Sequence, residues 1–366
     1  MTQQEAEAAK AVAKPSWIPW NSVAESGLAI IMGFLVGGGI IALAGFNPAL
    51  FYRGLIEGAF GSPRALMDTI SYMTPIMLTG LSFAIAARAN LFNIGSEGQM
   101  YMGVLAAASI GAFVALPEGL HQMVILFVSF LLGGVIAALA GWLKIKRGVH
   151  EVVSTIMLNW IGFYLLTYLA IFVLFDPLRA YKTTTILPSA TVPFVTSGTS
   201  LSYAVVIAIV VCIVCYFLLW RTTLGYNIRA VGLNPTSSEY GGIKVSRTMV
   251  TAMFISGGVA ALAGALEIMG RFWYVDTEAS YVRNLGFDGI AVALVGRNHP
   301  LGIIISSFFF AMLKTGGQAV QIYTSEAGRT GIPLEMSLAI QGVIIVFASI
   351  PSIIALVKKF TEGRKK

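Results

Sequence analysis

Uncharged apolar runs of 17 to 24 residues recur from one end of this 366-residue chain to the other, and they restrict it to folds that live in a bilayer. They cover residues 27–45, 69–87, 100–116, 123–143, 152–175, 201–220, 248–266 and 336–357. About 20 helical residues cross the hydrocarbon, so length alone predicts eight crossings. Between the last two runs lie 289–296 and 301–313, each short and bordered by charge at Asp288, Arg297 and Lys314. They read as two broken or partly sheltered helices, which brings the expected total to about ten, with both termini on one side. The fold class is therefore an all-α integral membrane protein: a cytoplasmic segment 1–26, a transmembrane domain 27–357 and a basic tail 358–366. Composition agrees, since 57% of residues are apolar, only 11% are charged, and the mean hydropathy is +0.80.

With the N-terminus in the cytoplasm, counting through ten crossings puts 16 of the 24 lysines and arginines on the cytoplasmic side. The positive-inside rule favours that orientation, and eight crossings would keep it too. The net charge of +7 then reflects this asymmetry and contact with anionic lipid. No basic and aromatic cluster resembles a nucleic-acid module. The first apolar run lacks the short core and small-residue cleavage site of a signal peptide, so it is expected to be retained. Cys212 and Cys215 both fall within the sixth apolar run, where buried, inert thiols are expected. His121, His150 and His299 lack the spacing of a metal site, and no nucleophile stands near a base, so neither metal nor catalytic residues are expected.

Polar residues among such runs are costly, which directs attention to Asn93, Gly95, Glu97, Gly98 and Gln99 in the stretch NIGSEGQ. Gly95-Ser96-Glu97-Gly98 and Gly286-Phe287-Asp288-Gly289 share a glycine, any residue, acid, glycine pattern, and each precedes an apolar run rich in small residues. The offset would relate spans two to five to spans seven to ten with opposite orientation, an inverted repeat of the kind transporters use. Glycine lets the backbone leave helical geometry, and the freed amides and carbonyls must then face protein or water. Glu97 either helps to line a polar path or pairs with a basic group such as Arg88. Asp288, Asn159 and Trp160 are further candidates for the path, an amide beside an aromatic ring suiting a nucleobase. Glu267 and Arg271, four apart, predict a helical ion pair, and Glu151, which follows the basic cluster Lys144, Lys146 and Arg147, is expected to form a cytoplasmic ion pair or a helix start.

The longest cytoplasmic connection, 221–247, predicts a short helix over 227–231, a turn at Asn234-Pro235 and a second helical piece from Ser237 to Tyr240, with Arg229 exposed for a soluble partner or for lipid headgroups. The outer loop 176–200, with Arg179 and Lys182, is a second candidate docking surface.

Four blocks, NLFNIGSEGQMYMG at 90–103, GVHEVVSTIMLNWI at 148–161, GYNIRAVGLNPTSSEYGGI at 225–243 and GFDGIAVALVGRNHPLG at 286–302, resemble in order and spacing the permease subunits of bacterial ABC importers of the branched-chain permease superfamily. The nucleoside permeases that work with lipoprotein binding proteins are the most similar members. The resemblance implies a coupling element at Gly225, Arg229, Ala230, Gly232, Asn234 and Pro235 on which an ATPase subunit docks. It also implies a second, different permease subunit, a substrate-binding lipoprotein outside the cell, and ATP and Mg bound by the ATPase, with no cofactor in this chain. The chain itself carries no glycine-rich phosphate loop ending in Lys-Ser or Lys-Thr. The expected function is the permease subunit of an ATP-driven nucleoside importer in the bacterial cell membrane. The alternative is a self-sufficient ion-coupled carrier working through Glu97 and Asp288.

Overall fold

The computed structural model describes residues 20–349 except 197, 277, 280 and 326–330. The expected basic tail 358–366 and most of the cytoplasmic N-terminal segment lie outside the described residues, as does the end of the eighth apolar run. The described residues are predominantly helical and form thirteen α-helices. In order these are α1 (Trp20–Leu43), α2 (Pro48–Phe60), α3 (Pro63–Ala87), α4 (Ser96–Phe113), α5 (Leu120–Arg147), α6 (Glu151–Phe172), α7 (Ala204–Arg221), α8 (Thr223–Leu233), α9 (Pro235–Tyr240), α10 (Val245–Glu267), α11 (Leu285–Val295), α12 (Pro300–Ser325) and α13 (Leu334–Ser349). A π turn, Ile268–Phe272, extends α10. Six helices are long and apolar enough to cross a membrane: α3, α5, α6, α7, α10 with its π turn, and α12. The chain is a multi-pass membrane protein.

Helix α10 runs through the middle of the bundle and packs against α3, α4 and α5. Small residues permit that approach: a Cβ on Gly103 would stand 1.7 Å from the Ala261 carbonyl oxygen, and one on Gly264 would stand 2.1 Å from that of Met100. With no hydrophobic drive between helices in lipid, such close contact supplies the van der Waals cohesion. Cys212 and Cys215 are free and buried on α7, as its apolar run predicts.

Three local expectations need correction. The run 301–313 is not a broken helix, because α12 continues for 26 residues. Lys314, read as its boundary, lies inside the helix with its ammonium 2.6 Å from Asp288 Oδ2, so pairing replaces solvation. Helix α2 lies between the first two apolar runs, where run length predicts no crossing; Asn47 caps it, Pro48 starts it, and Phe51, Gly54, Leu55 and Ala59 form its buried face. The outer loop is not purely irregular: β1 (Phe175–Asp176) and β2 (Arg179–Thr183) pair as an antiparallel hairpin. The loop is then tied down by Thr183 N–H to Val275 O and Ile186 N–H to Trp273 O.

Candidate functional site

Helix α11 begins against the interior of α3. Its Leu285 carbonyl accepts a 2.9 Å hydrogen bond from Thr79 Oγ1, and a Cβ on Gly289 would stand 2.6 Å from the Gly80 nitrogen, so this end rests against α3 at Thr79–Gly80. Thr79 is eight residues before the end of α3 at Ala87, about 12 Å along the helix axis. With 11 residues, α11 is about 16 Å long, roughly half of a hydrocarbon layer of about 30 Å. It is a short helix whose positive end is buried within the bundle, where its free N–H groups need acceptors.

Glu97, the second residue of α4, supplies them. Its Oε1 accepts from Asn284 N–H at 2.5 Å and from Tyr101 Oη at 2.8 Å, and its Oε2 accepts from Gly286 N–H at 2.6 Å. Gly286 leaves room for this, since a Cβ there would sit 2.4 Å from the Glu97 nitrogen. Glu97 therefore does not pair with Arg88. The Arg88 guanidinium instead donates to the carbonyls of Asn298 and Arg297, at 2.9 and 3.3 Å, just past the C-terminal end of α11.

The amides expected beside Glu97 have separate partners. Asn93 and Gln99 exchange side-chain hydrogen bonds of 2.8 and 2.9 Å, and Asn93 also donates to Ser256 Oγ at 2.7 Å. Asn159, on α6, accepts from Gly98 N–H at 2.7 Å and donates to Ile94 O at 2.9 Å. These side chains satisfy the backbone where it leaves helical geometry between α3 and α4. Asn93 and Gln99 are buried away from any surface.

A cavity of about 140 Å³ opens beside Glu97, lined by Tyr101, Ile156, Asn159, Trp160, Phe163, Arg283, Asn284 and Phe287. It brings together Glu97, Asn159 and Trp160 from α4 and α6; Asn93 and Gln99 are absent from its wall, and Asp288 lies around the helix with Lys314. Trp160 is half exposed and stacks on Tyr164 at 6.0 Å. The reading of the chain missed Tyr101 and Arg283; the only signal for Arg283 was a basic residue just before the second glycine-acid-glycine block. Glu267 and Arg271 meet at 3.2 Å and Lys144 meets Glu151 at 2.8 Å, as their spacing predicts.

At the other end of α11, α8 and α9 form from the connection 221–247. Thr222 caps α8 through Gly225 N–H, and Asn234 caps α9 through Ser237 N–H with Pro235 at its first position. A Cβ on Gly232 would lie 2.0 Å from the Arg88 carbonyl oxygen, so α8 rests directly on the end of α3. Arg229 is half-buried rather than exposed, its guanidinium 5.7 Å from the Trp220 ring, which Arg88 approaches at 5.2 Å. A larger open cavity of about 940 Å³ lies along α8, α9 and the start of α10, with Ala230 and Asn234 on its wall. No group of three metal-binding side chains occurs among the described residues.

Residues 65–349 match the family of branched-chain amino acid transport system / permease components. The guanosine ABC transporter permease protein NupP of Bacillus subtilis is 35% identical over 327 residues, covering 88% of this chain and 91% of that protein. The nucleoside ABC transporter permease protein NupB of Lactococcus lactis is 33% identical over 356 residues, covering 93% and 95%. The glucose ABC transporter permease protein TsgB13 of Haloferax volcanii is 25% identical over 91% of this chain and 88% of its own. No solved structure matches the chain.

Proposed function

Because the chain belongs to the branched-chain amino acid transport system / permease component family, we propose that it is the membrane permease of an ATP-driven nucleoside importer, with its translocation path passing the N-terminal end of α11. Resemblance along nearly the whole chain to two nucleoside permeases supports the solute class. The observation that carries the path is the short helix itself: a helix N-terminus buried in the bundle, capped by Glu97 and facing a small cavity with polar and aromatic walls. Irregular backbone within a membrane is tolerated where it lines a water-filled route.

In this reading α1, α4, α11 and α13 join the six long apolar helices to make ten membrane elements, and both termini are cytoplasmic. The ends of α3, α7 and α11 meet α8 through Arg88, Trp220 and Gly232, which supports placing their connections on one side, where basic residues are concentrated. Helices α8 and α9 are the seat of the ATPase subunit, which binds ATP and Mg. Movement of α8 reaches Arg88, and through the carbonyls of Arg297 and Asn298 it reaches α11, biasing the bundle between inward-open and outward-open states. A second, different permease completes the path, and an extracytoplasmic lipoprotein delivers the solute to the hairpin side. The two glycine-acid-glycine blocks each stand at a helix start, α4 and α11, which is what an inverted repeat requires.

A self-sufficient carrier would need an acid free to exchange an ion, whereas Glu97 accepts from three donors and Asp288 pairs with Lys314. The test is uptake of labelled nucleosides into proteoliposomes by this chain alone and by the chain with its second permease, ATPase and binding protein, with and without ATP. Uptake that needs the full set and ATP is the expected result; uptake by this chain alone under an ion gradient would overturn the reading.

A further inference from the structure

Arg283 stands two residues before α11, exposed, on the wall of the 140 Å³ cavity beside Glu97. The neighbouring cations Arg271 and Lys314 each meet a carboxylate, Glu267 and Asp288 respectively. Among the described residues Arg283 meets none, and its guanidinium lies over the Phe163 ring at 5.2 Å. A charge with no carboxylate partner among the described residues needs water or a ligand to solvate it.

Glu97 and Asn159 on the wall are already committed, Glu97 to three donors and Asn159 to the Gly98 N–H and the Ile94 carbonyl, which leaves Arg283 and the Asn284 amide. The Arg283 fork is thus left with donors for a solute, flanked by the aromatic rings of Trp160, Phe163 and Phe287. A guanidinium stacked on an aromatic face is planar and held in position, and it suits bidentate recognition of two adjacent acceptors. The cavity is well below the roughly 300 Å³ at which complete small-molecule sites begin. Its size suits one ring system, with the sugar left outside.

We infer that Arg283 is a specificity-determining contact for the base of a purine nucleoside that presents two adjacent acceptors, as O6 and N7 of guanine and hypoxanthine do; the inference rests on the nucleoside reading above. Adenine offers N7 beside a donor, so the fork makes one bond where guanine makes two.

The test uses the complete transporter in proteoliposomes, with ATP inside and the binding protein outside saturated in turn with guanosine, inosine or adenosine, so that capture does not limit the rate. Arg283→Lys keeps the charge without the fork, and Arg283→Gln removes the charge. Both should lower guanosine and inosine uptake relative to adenosine by about tenfold, with adenosine uptake changed less than about twofold. Unchanged ratios, an equal loss for all three nucleosides, or variants that no longer assemble with the second permease would each overturn the inference, the last by assigning Arg283 to the contact between subunits. A wild-type transporter that moves no nucleoside would instead refute the proposed function.

Discussion

Replacing Gly232 with alanine tests whether α8 transmits force to the membrane helices. The added Cβ would stand 2.0 Å from the Arg88 carbonyl oxygen, 2.8 Å from its carbon and 3.3 Å from the Ala89 carbonyl carbon, where ordinary contact begins near 3.4 Å. The obstacle is backbone at the end of α3, so no side chain can swing aside, and α8 must retreat by about 1.4 Å, the difference between 3.4 and 2.0 Å. Overpacking of this kind costs about 1 to 3 kcal/mol. The retreat also loosens the approach of α8 to the Arg88 backbone, whose guanidinium holds the Arg297 and Asn298 carbonyls beyond α11. The variant should therefore insert normally, unfold at a lower temperature and lose most ATP-driven uptake while the assembled ATPase still hydrolyses ATP. Gly342→Ala is the control, since a Cβ there meets nothing within 4 Å. It should leave uptake unchanged. Wild-type uptake and thermal stability in Gly232→Ala would refute the reasoning.

Three further outcomes follow from the same contacts. Glu97→Gln leaves one acceptor oxygen for the Asn284 and Gly286 N–H groups and should cost about 1 to 3 kcal/mol in thermal or denaturant unfolding, with a parallel fall in uptake; wild-type stability would show that the cap is dispensable. Lys314→Met should destabilise by about 1 to 3 kcal/mol by leaving Asp288 unpaired, and Asp288→Asn added to it should restore at least half of the loss; additive losses would mean that the two do not act as a pair. Burial, with the charge of Arg88 second, holds the His299 imidazole below its ordinary pKa of 6.5. Its neutral form thus contributes stability fully present above that value and lost as pH falls through the lower folded-state pKa. Thermal stability should drop over that acidic window in the wild type and drop less in His299→Asn; parallel curves would exclude His299 as a source.

Several site features were legible from the chain because they depend on local order. The glycines at 95, 98, 286 and 289 read as helix breaks, but only Gly95 stands outside a helix; Gly98, Gly286 and Gly289 lie within α4 and α11, where the missing side chain admits neighbouring backbone. The helical piece expected from Ser237 to Tyr240 is present as α9, but it starts two residues earlier, because Asn234-Pro235, read as a turn, caps and begins it. The partners of Glu97 were not legible. Arg88 was the nearest cation in sequence, but the carboxylate found two N–H groups 187 and 189 residues away, brought to it by the packing of α11 against α3. Lys314 misled for a related reason: a charge ends an apolar run on paper, while in the fold Asp288 neutralises it and α12 continues.

The sequence by itself determined that this chain lives in a bilayer, where its helices divide and where the backbone breaks, because apolar length, glycine freedom and capping act over a few residues. Its family was legible for the same reason, being carried by short blocks in a fixed order. Only the tertiary structure decided which polar groups satisfy one another. Asn93, Gln99 and Asn159 close the break, Glu97 caps the short helix, and Arg283 stands on the cavity wall with no carboxylate partner among the described residues. In a medium that solvates no polar group, such pairings are chosen by proximity across helices, and that proximity is not written in any one stretch of the chain.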